Sequence, residues 1–132
     1  MSGGSSSAAG WYSLLEPVIP PTDIPHRADD PRLGEIVEFW NGDAAALRPG
    51  RAVIVGFPQE EGMRRNFGRA GAAEAPNIIR AALWRMVPGE PHREIDLRDL
   101  PPLDVGNVRC GATLEDAQQA LEIGRASCRE RV

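Results

Sequence analysis

The chain has 132 residues, of which 42% are hydrophobic and 26% are charged, and its formal net charge is −4. This length is enough for one small domain, and the composition lies within the globular range. The acidic balance argues against a nucleic-acid partner held through phosphate contacts, and no apolar run approaches the roughly 18 residues that a membrane-spanning helix needs.

Residues 1–31 are predicted to form a flexible, proline-rich leader. The first ten residues, MSGGSSSAAG, have neither the basic start nor the apolar middle of a secretory signal, so the expected location is the cytoplasm. Five prolines follow between positions 17 and 31. Because proline fixes φ and lacks a backbone N–H donor, we expect an extended, irregular segment that lies along a surface.

Residues 32–122 are predicted to form the folded part, and it begins with a short helix. Asp30 can cap this helix with Pro31 in its first turn, and RLGEIVEFW continues it. Within this segment, apolar residues recur at the spacing of one helical face, at Leu33, Ile36, Val37 and Trp40.

A strand and a second helix follow. RAVIVGF, at residues 51–57, is a continuous apolar run that suits a parallel strand buried on both faces. Pro76 stands in the first turn of a helix through NIIRAALWRM, whose predicted apolar face is Ile79, Ala82, Leu83 and Met86.

The remaining elements complete an alternation of strands and helices. REIDL and PLDVGNV are two further strand candidates, and Thr113 with Asp116 resembles a capping box that opens a helix through Leu121. Strands that alternate with helices are typical of an α/β domain with a parallel sheet.

The last residues, EIGRASCRERV, are unusual. They back-translate in one reading frame to the start of a widely used short-read sequencing adapter, so we expect residues 123–132 to be a non-native tail. The natural product is then expected to continue beyond Glu122, and this chain to be its N-terminal part. Removing Cys128 with the tail leaves Cys110, which forms no metal-binding pattern alone.

The long loop between the apolar strand and the second helix is the candidate site. Ligands bind beyond the carboxyl ends of strands in parallel sheets, and loops of this length are often functional. Arg64, Arg65, Asn66 and Arg69 are the candidate substrate-binding residues, because guanidinium groups match carboxylates, and Gly62, Gly68 and Gly71 permit tight turns. On composition alone, a structural role is favoured, in which the arginines pair with Glu60, Glu61 and Glu74 and tie down the loop.

The segment GFPQEEGMRRNFGRAGAAEAPNIIRAAL resembles the corresponding part of the ureohydrolase superfamily, which comprises arginases, agmatinases and formimidoylglutamases. The match covers Glu-Gly, Arg-Arg-Asn, Gly-Arg, Gly-Ala and the later Pro and Ile-Arg, with Met63 and Ala75 as departures. LDVGNV is similar to the family's Asp-x-Gly-Asp-Val, with Asn107 in place of aspartate. The pattern looks most like the formimidoylglutamase branch.

The resemblance implies an arginase-like fold, here the N-terminal part of an incomplete three-layer αβα domain with a mostly parallel sheet. It also implies a hydrolase with two manganese ions, a small-molecule substrate and a homo-oligomeric parent. The family's metal motifs, Gly-Gly-x-His, Asp-x-His-x-Asp and Asp-x-Asp, do not occur in this sequence. We therefore expect no catalytic or metal-binding residues in this chain, and we do not expect His26 or His92 to be metal ligands. The fragment is expected to be inactive.

Two alternatives remain open at this point. One is a fragment of the agmatinase or arginase branch. The other is a non-enzymatic module that uses the arginine-rich loop to bind an acidic ligand.

Overall fold

A computed structural model of the chain describes residues 11–131. It shows an α/β domain built on a mixed sheet. The strands are β1 (Leu15–Glu16), β2 (Glu38–Phe39), β3 (Val53–Gly56), β4 (Gly89–Glu90), β5 (Ile95–Asp96) and β6 (Leu103–Val108). The helices are α1 (Leu33–Ile36), α2 (Glu61–Arg65), α3 (Ala75–Leu83) and α4 (Leu114–Arg131).

Strand β6 is the centre of the main sheet. β2 and β3 both pair with it in parallel, and β1 pairs with it antiparallel. Since β2 and β3 both align with Leu103, they lie on opposite edges of β6. β1 aligns with the other end of β6, at Val108, and shares the edge that β2 occupies. The predicted strands at β3 and β6 are therefore confirmed, while the sheet is mixed because of β1.

The predicted helix through residue 40 is wrong beyond Ile36. Val37 is extended, and the chain continues as β2. The backbone N–H groups of Glu38 and Trp40 donate to the carbonyls of Pro102 and Asp104, each at 2.9 Å. β-branched and aromatic side chains favour a half-buried strand, so pairing with β6 prevails over the local helical spacing.

Helix α3 is confirmed, but its predicted apolar face is wrong. Its buried side is formed by Arg80 together with Trp84 just beyond its end, while Ile79 and Met86 are 62% and 58% exposed. The buried face differs from the predicted one because Arg80 binds a buried carboxylate and therefore faces the interior. The same reasoning overestimated the burial of β3, where Val55 is 39% exposed.

The two remaining predicted elements differ in outcome. REIDL contains β5, but β5 pairs with β4 in a separate antiparallel hairpin and not in the main sheet. Helix α4 begins as predicted, and the backbone N–H of Asp116 donates to Thr113 Oγ1 at 3.1 Å. It extends past Leu121 to Arg131.

Two apolar clusters hold the domain together. The first packs around β6 and includes Leu15 and Leu47, together with Ala120 of α4. The second joins α1 to α3 through Leu33, Val37 and Trp84. Trp84 also meets Phe39 edge-on, with ring centroids 5.9 Å apart. No helix within residues 11–131 combines the length and the apolar character required to cross a membrane.

Candidate functional site

The candidate site lies where two chain segments leave the main sheet. β3 and β6 are parallel neighbours, so their carboxyl ends meet at the same edge. The segment after β3 leads into α2, and the segment after β6 leads into α4. Between them lies a cavity of about 430 Å³, which we call the loop cavity; its lining includes Glu60, Glu61, Arg64, Arg65, Cys110 and Thr113. The predicted position of the site is consistent with this geometry.

The turn after α2 is shaped by local hydrogen bonds. The backbone N–H of Gly68 donates to the carbonyl of Met63 at 2.7 Å, and Phe67 between them has a positive φ of 57° and a fully exposed side chain. Gly71 has φ of 118°, a conformation that suits glycine, and its N–H donates to Glu60 Oε2 at 3.0 Å. Glu60 therefore fixes the loop backbone.

Two of the four predicted substrate-binding residues line the loop cavity. Arg65 Nη1 lies 2.9 Å from Glu115 Oε1, and its Nε lies 3.4 Å from Glu61 Oε1. Arg64 makes a longer contact with Glu61, at 3.9 Å. Asn66 and Arg69 are exposed and do not line this cavity.

These ion pairs are on the surface, and the pair between Arg65 and Glu115 shifts the pKa of both residues. The hydrogen bond from Arg65 lowers the pKa of Glu115, and the same bond raises the pKa of Arg65. Exposed pairs of this kind are well solvated and contribute little to stability. Of the carboxylates named in the structural alternative, Glu61 does pair with both arginines, whereas the main partner of Arg65, Glu115, comes from α4.

A buried polar network stands behind this edge of the sheet, and sequence reasoning missed it. Arg80 of α3 binds Asp104 of β6 through two parallel bonds, Nε to Oδ2 at 2.8 Å and Nη2 to Oδ1 at 3.0 Å. Nη2 also donates to the carbonyl of Gly106 at 3.0 Å, and Nη1 donates to Asn107 Oδ1 at 2.5 Å. Arg80 and Asp104 are 4% and 2% exposed.

Both residues carried a usable signal in the sequence. Arg80 stands four positions before a buried tryptophan, so it shares that residue's helix face. Asp104 stands between two apolar residues, Leu103 and Val105, near the start of a strand. A buried charge requires a partner, so an arginine on a buried helix face predicts a carboxylate opposite it.

Two glycines allow the network to form. A Cβ atom at Gly56 would overlap Asn107 Oδ1 and lie 2.8 Å from Arg80 Nη1. Gly106 has φ of 92°, and a Cβ there would lie 2.9 Å from the carbonyl carbon of Glu16. The end of β3 and the neighbouring β1 therefore approach the network more closely than any other residue type would permit.

The described residues do not fit the manganese pair that the resemblance implies. No group of three or more His, Cys, Asp or Glu side chains within residues 11–131 is placed to hold a metal ion. His26 contacts Glu35 through Nδ1, and His92 donates its backbone N–H to Glu90 Oε1 at 3.0 Å. Burial raises the pKa of the Cys110 thiol, which lies 3.4 Å from the carbonyl of Pro58.

Comparison with known proteins places the chain beside one group of enzymes. No family model matches it, and no solved structure matches it significantly. A formimidoylglutamase from Vibrio cholerae serotype O1 is 42% identical over 79 residues, which is 59% of this chain and 21% of the relative. A formimidoylglutamase from Cupriavidus pinatubonensis is 39% identical over 95 residues, covering 70% of this chain and 27% of the relative.

A formimidoylglutamase from Nocardia farcinica is 39% identical over 79 residues, covering 59% of this chain and 23% of the relative. The chain thus spans about a quarter of the length of these relatives, between 21% and 27%. These matches confirm the resemblance carried by the loop motif: over the matched residues, the chain is similar to formimidoylglutamases.

Proposed function

We propose that the chain is the N-terminal part of a formimidoylglutamase-like hydrolase of the cytoplasm. The parent enzyme would hydrolyse a C–N bond of N-formimino-L-glutamate to give formamide and glutamate, a step in histidine breakdown. The three-layer αβα arrangement and the homo-oligomeric parent belong to this proposal. The observation that carries it is the similarity to several formimidoylglutamases, at 37–42% identity, of a segment whose motif loop lies at the carboxyl edge of two parallel strands.

Within this proposal, Arg64 and Arg65 bind a carboxylate of the substrate. Both line the loop cavity, and within residues 11–131 both pair with carboxylates at the surface. Because exposed pairs of this kind contribute little to stability, a substrate carboxylate can replace Glu61 or Glu115 at small cost. A planar guanidinium can donate two parallel hydrogen bonds to such a carboxylate. Asn66 and Arg69, further along the loop, would supply donors at its rim.

The two manganese ions expected in the parent take no part in any step proposed for this chain, because its described residues offer no ligand set. We propose that the 132-residue chain alone is inactive. The agmatinase branch is less favoured, because agmatine has no carboxylate for the paired arginines to bind. Arginine has one carboxylate where N-formimino-L-glutamate has two, so the arginase branch is the second candidate.

The experiment begins with recovery of the native gene beyond Glu122. The full-length protein is assayed for release of formamide from N-formimino-L-glutamate, with agmatine and arginine as competing substrates. Arg65→Ala is expected to raise KM for formiminoglutamate about tenfold or more, as for loss of a charge-assisted bond. Arg98→Ala is the matched control, since Arg98 pairs with Asp96 at 2.6 Å and does not line the loop cavity.

Three results would count against this proposal. An unchanged KM in Arg65→Ala would indicate that the loop arginines have a structural role and do not bind substrate. Preference for agmatine or arginine would move the parent to another branch. A native stop codon close after Leu121, with saturable binding of glutamate by the chain, would favour the acidic-ligand module.

A further inference from the structure

A second cavity, of about 380 Å³, lies between the leader and α3, and we call it the leader groove. Its polar lining consists of Glu16, Asn77, Arg80 and Asn107. Its apolar lining includes Val18, Ile19 and Trp84. It shares no lining residue with the loop cavity, and its size is within the range of small-molecule sites.

Asn107 has a fixed orientation in this groove. Its side-chain oxygen accepts from Arg80 Nη1 at 2.5 Å. Since an arginine can only donate, the atom facing Arg80 must be the oxygen, and the NH₂ group must occupy the other position. Within residues 11–131, neither N–H of that amide donates to a protein acceptor, so the groove has a positioned pair of free donors.

The groove brings groups of opposite electrostatic character close together. Of the buried ion pair, only the cationic partner, Arg80, lines the groove, while Asp104 lies behind it at 2% exposure. Beside it, Glu16 is directly opposite Asn107 in the antiparallel pairing of β1 with β6. Directly opposed residues place their side chains on the same face, with Cβ atoms about 5 Å apart.

We propose that the leader groove binds a free α-amino acid with an apolar side chain. The carboxylate accepts from the amide N–H groups of Asn107 at the Arg80 end, and the ammonium group binds the carboxylate of Glu16. An α-amino acid fits because its ammonium and carboxylate groups are bonded to the same carbon, and the groove likewise places the Asn107 donors and the Glu16 carboxylate close together. The apolar side chain packs against Ile19, which is 87% exposed in the free protein and gains burial on binding.

The test is calorimetric titration of the intact 132-residue chain with L-leucine. A Kd on the order of 1 mM is expected for a ligand of about nine non-hydrogen atoms. Two analogues act as controls: 4-methylpentanoate lacks the ammonium group, and 3-methylbutylamine lacks the carboxylate. Both are expected to bind at least about tenfold more weakly, since each loses one charged contact.

Asn107→Asp is the decisive variant. It keeps an oxygen for Arg80 but replaces the free donors by a second carboxylate, so leucine affinity should fall at least about tenfold. Asn41→Asp makes the same change in an exposed loop outside the groove and should bind as the unchanged chain does. Thermal unfolding checks that each variant is folded.

If Asn107→Asp does not fold, Glu16→Gln replaces it, because that side chain is exposed and β1 pairs through its backbone. The proposal is overturned if folded chain shows no saturable leucine binding. It is also overturned if the analogues bind as well as leucine, or if the folded groove variants retain full affinity.

Discussion

The buried pair of Arg80 and Asp104 should dominate the stability of this domain. Asp104→Ala removes the carboxylate that accepts from Nε and Nη2 of Arg80 and from the backbone N–H of Gly106, the last at 2.9 Å. A buried charge without its partner costs about 3–5 kcal/mol. Since small domains are stable by roughly 5–15 kcal/mol, this one change should remove a large part of the free energy of unfolding.

Urea unfolding at neutral pH, followed by tryptophan fluorescence, measures the effect. Arg80→Met should lower the free energy of unfolding by a similar amount, because it leaves the buried carboxylate of Asp104 without its cation. The double variant should lose at least about 2 kcal/mol less than the sum of the two single losses, because neither charge then remains buried alone. Asp23→Ala is the control: its exposed pair with Arg85, at 3.1 Å, should matter by less than about 1 kcal/mol. If Asp104→Ala costs no more than Asp23→Ala, or if the losses of the two single variants add up in the double variant, then Arg80 and Asp104 do not form a coupled, buried ion pair.

Two further predictions concern the surroundings of the network and of the loop cavity. Gly56→Ala should lower the free energy of unfolding by about 1–3 kcal/mol, because its Cβ would overlap Asn107 Oδ1. Gly62→Ala in α2 should be neutral or slightly stabilising, because the nearest atom to its Cβ would be 4.0 Å away. Equal urea midpoints for the two variants would contradict this prediction. Since Arg65 lowers the pKa of Glu115 in the folded chain, the stability that the pair adds is present above the unfolded pKa of Glu115 and is lost as the pH falls through the folded pKa. Comparing unfolding of the unchanged chain with Glu115→Gln across this acidic range should show a small difference that vanishes at the low-pH end, and a difference that persists there would exclude the ion pair as its source.

The sequence predicted the elements whose signals are local. β3 and β6 are mostly apolar runs bounded by turn residues. The start of α4 is set by a capping hydrogen bond between residues three positions apart. It failed where distant segments decide the structure. Residues 37–40 have a helical spacing of apolar residues, but their hydrogen bonds go to Pro102 and Asp104, more than sixty positions away.

The same distinction holds for the candidate site. Its place at the carboxyl edge followed from the parallel pairing of β3 with β6, and the arginines of α2 do line a cavity there. The partner of Arg65 could not be predicted, because Glu115 is 50 positions further along the chain. Arg80 and Asp104 are separated by 24 positions, and the pattern of the helix alone assigned the buried face to apolar residues.

The motif loop is fixed firmly at its two ends and held weakly in between, an arrangement that suits ligand binding. The loop starts at Gly56, which packs against Asn107, and it ends in α3, which Arg80 fixes to β6. Both ends are thus held by one buried network. Between them, Arg64 and Arg65 pair with carboxylates at the surface, whose contributions are small and screened by salt. A ligand that replaces those carboxylates therefore acts on a loop whose ends are already fixed, and it need only reorient side chains. Pre-organisation of this kind lowers the entropic cost of binding, so under the proposed function the buried ion pair would favour binding without touching the substrate.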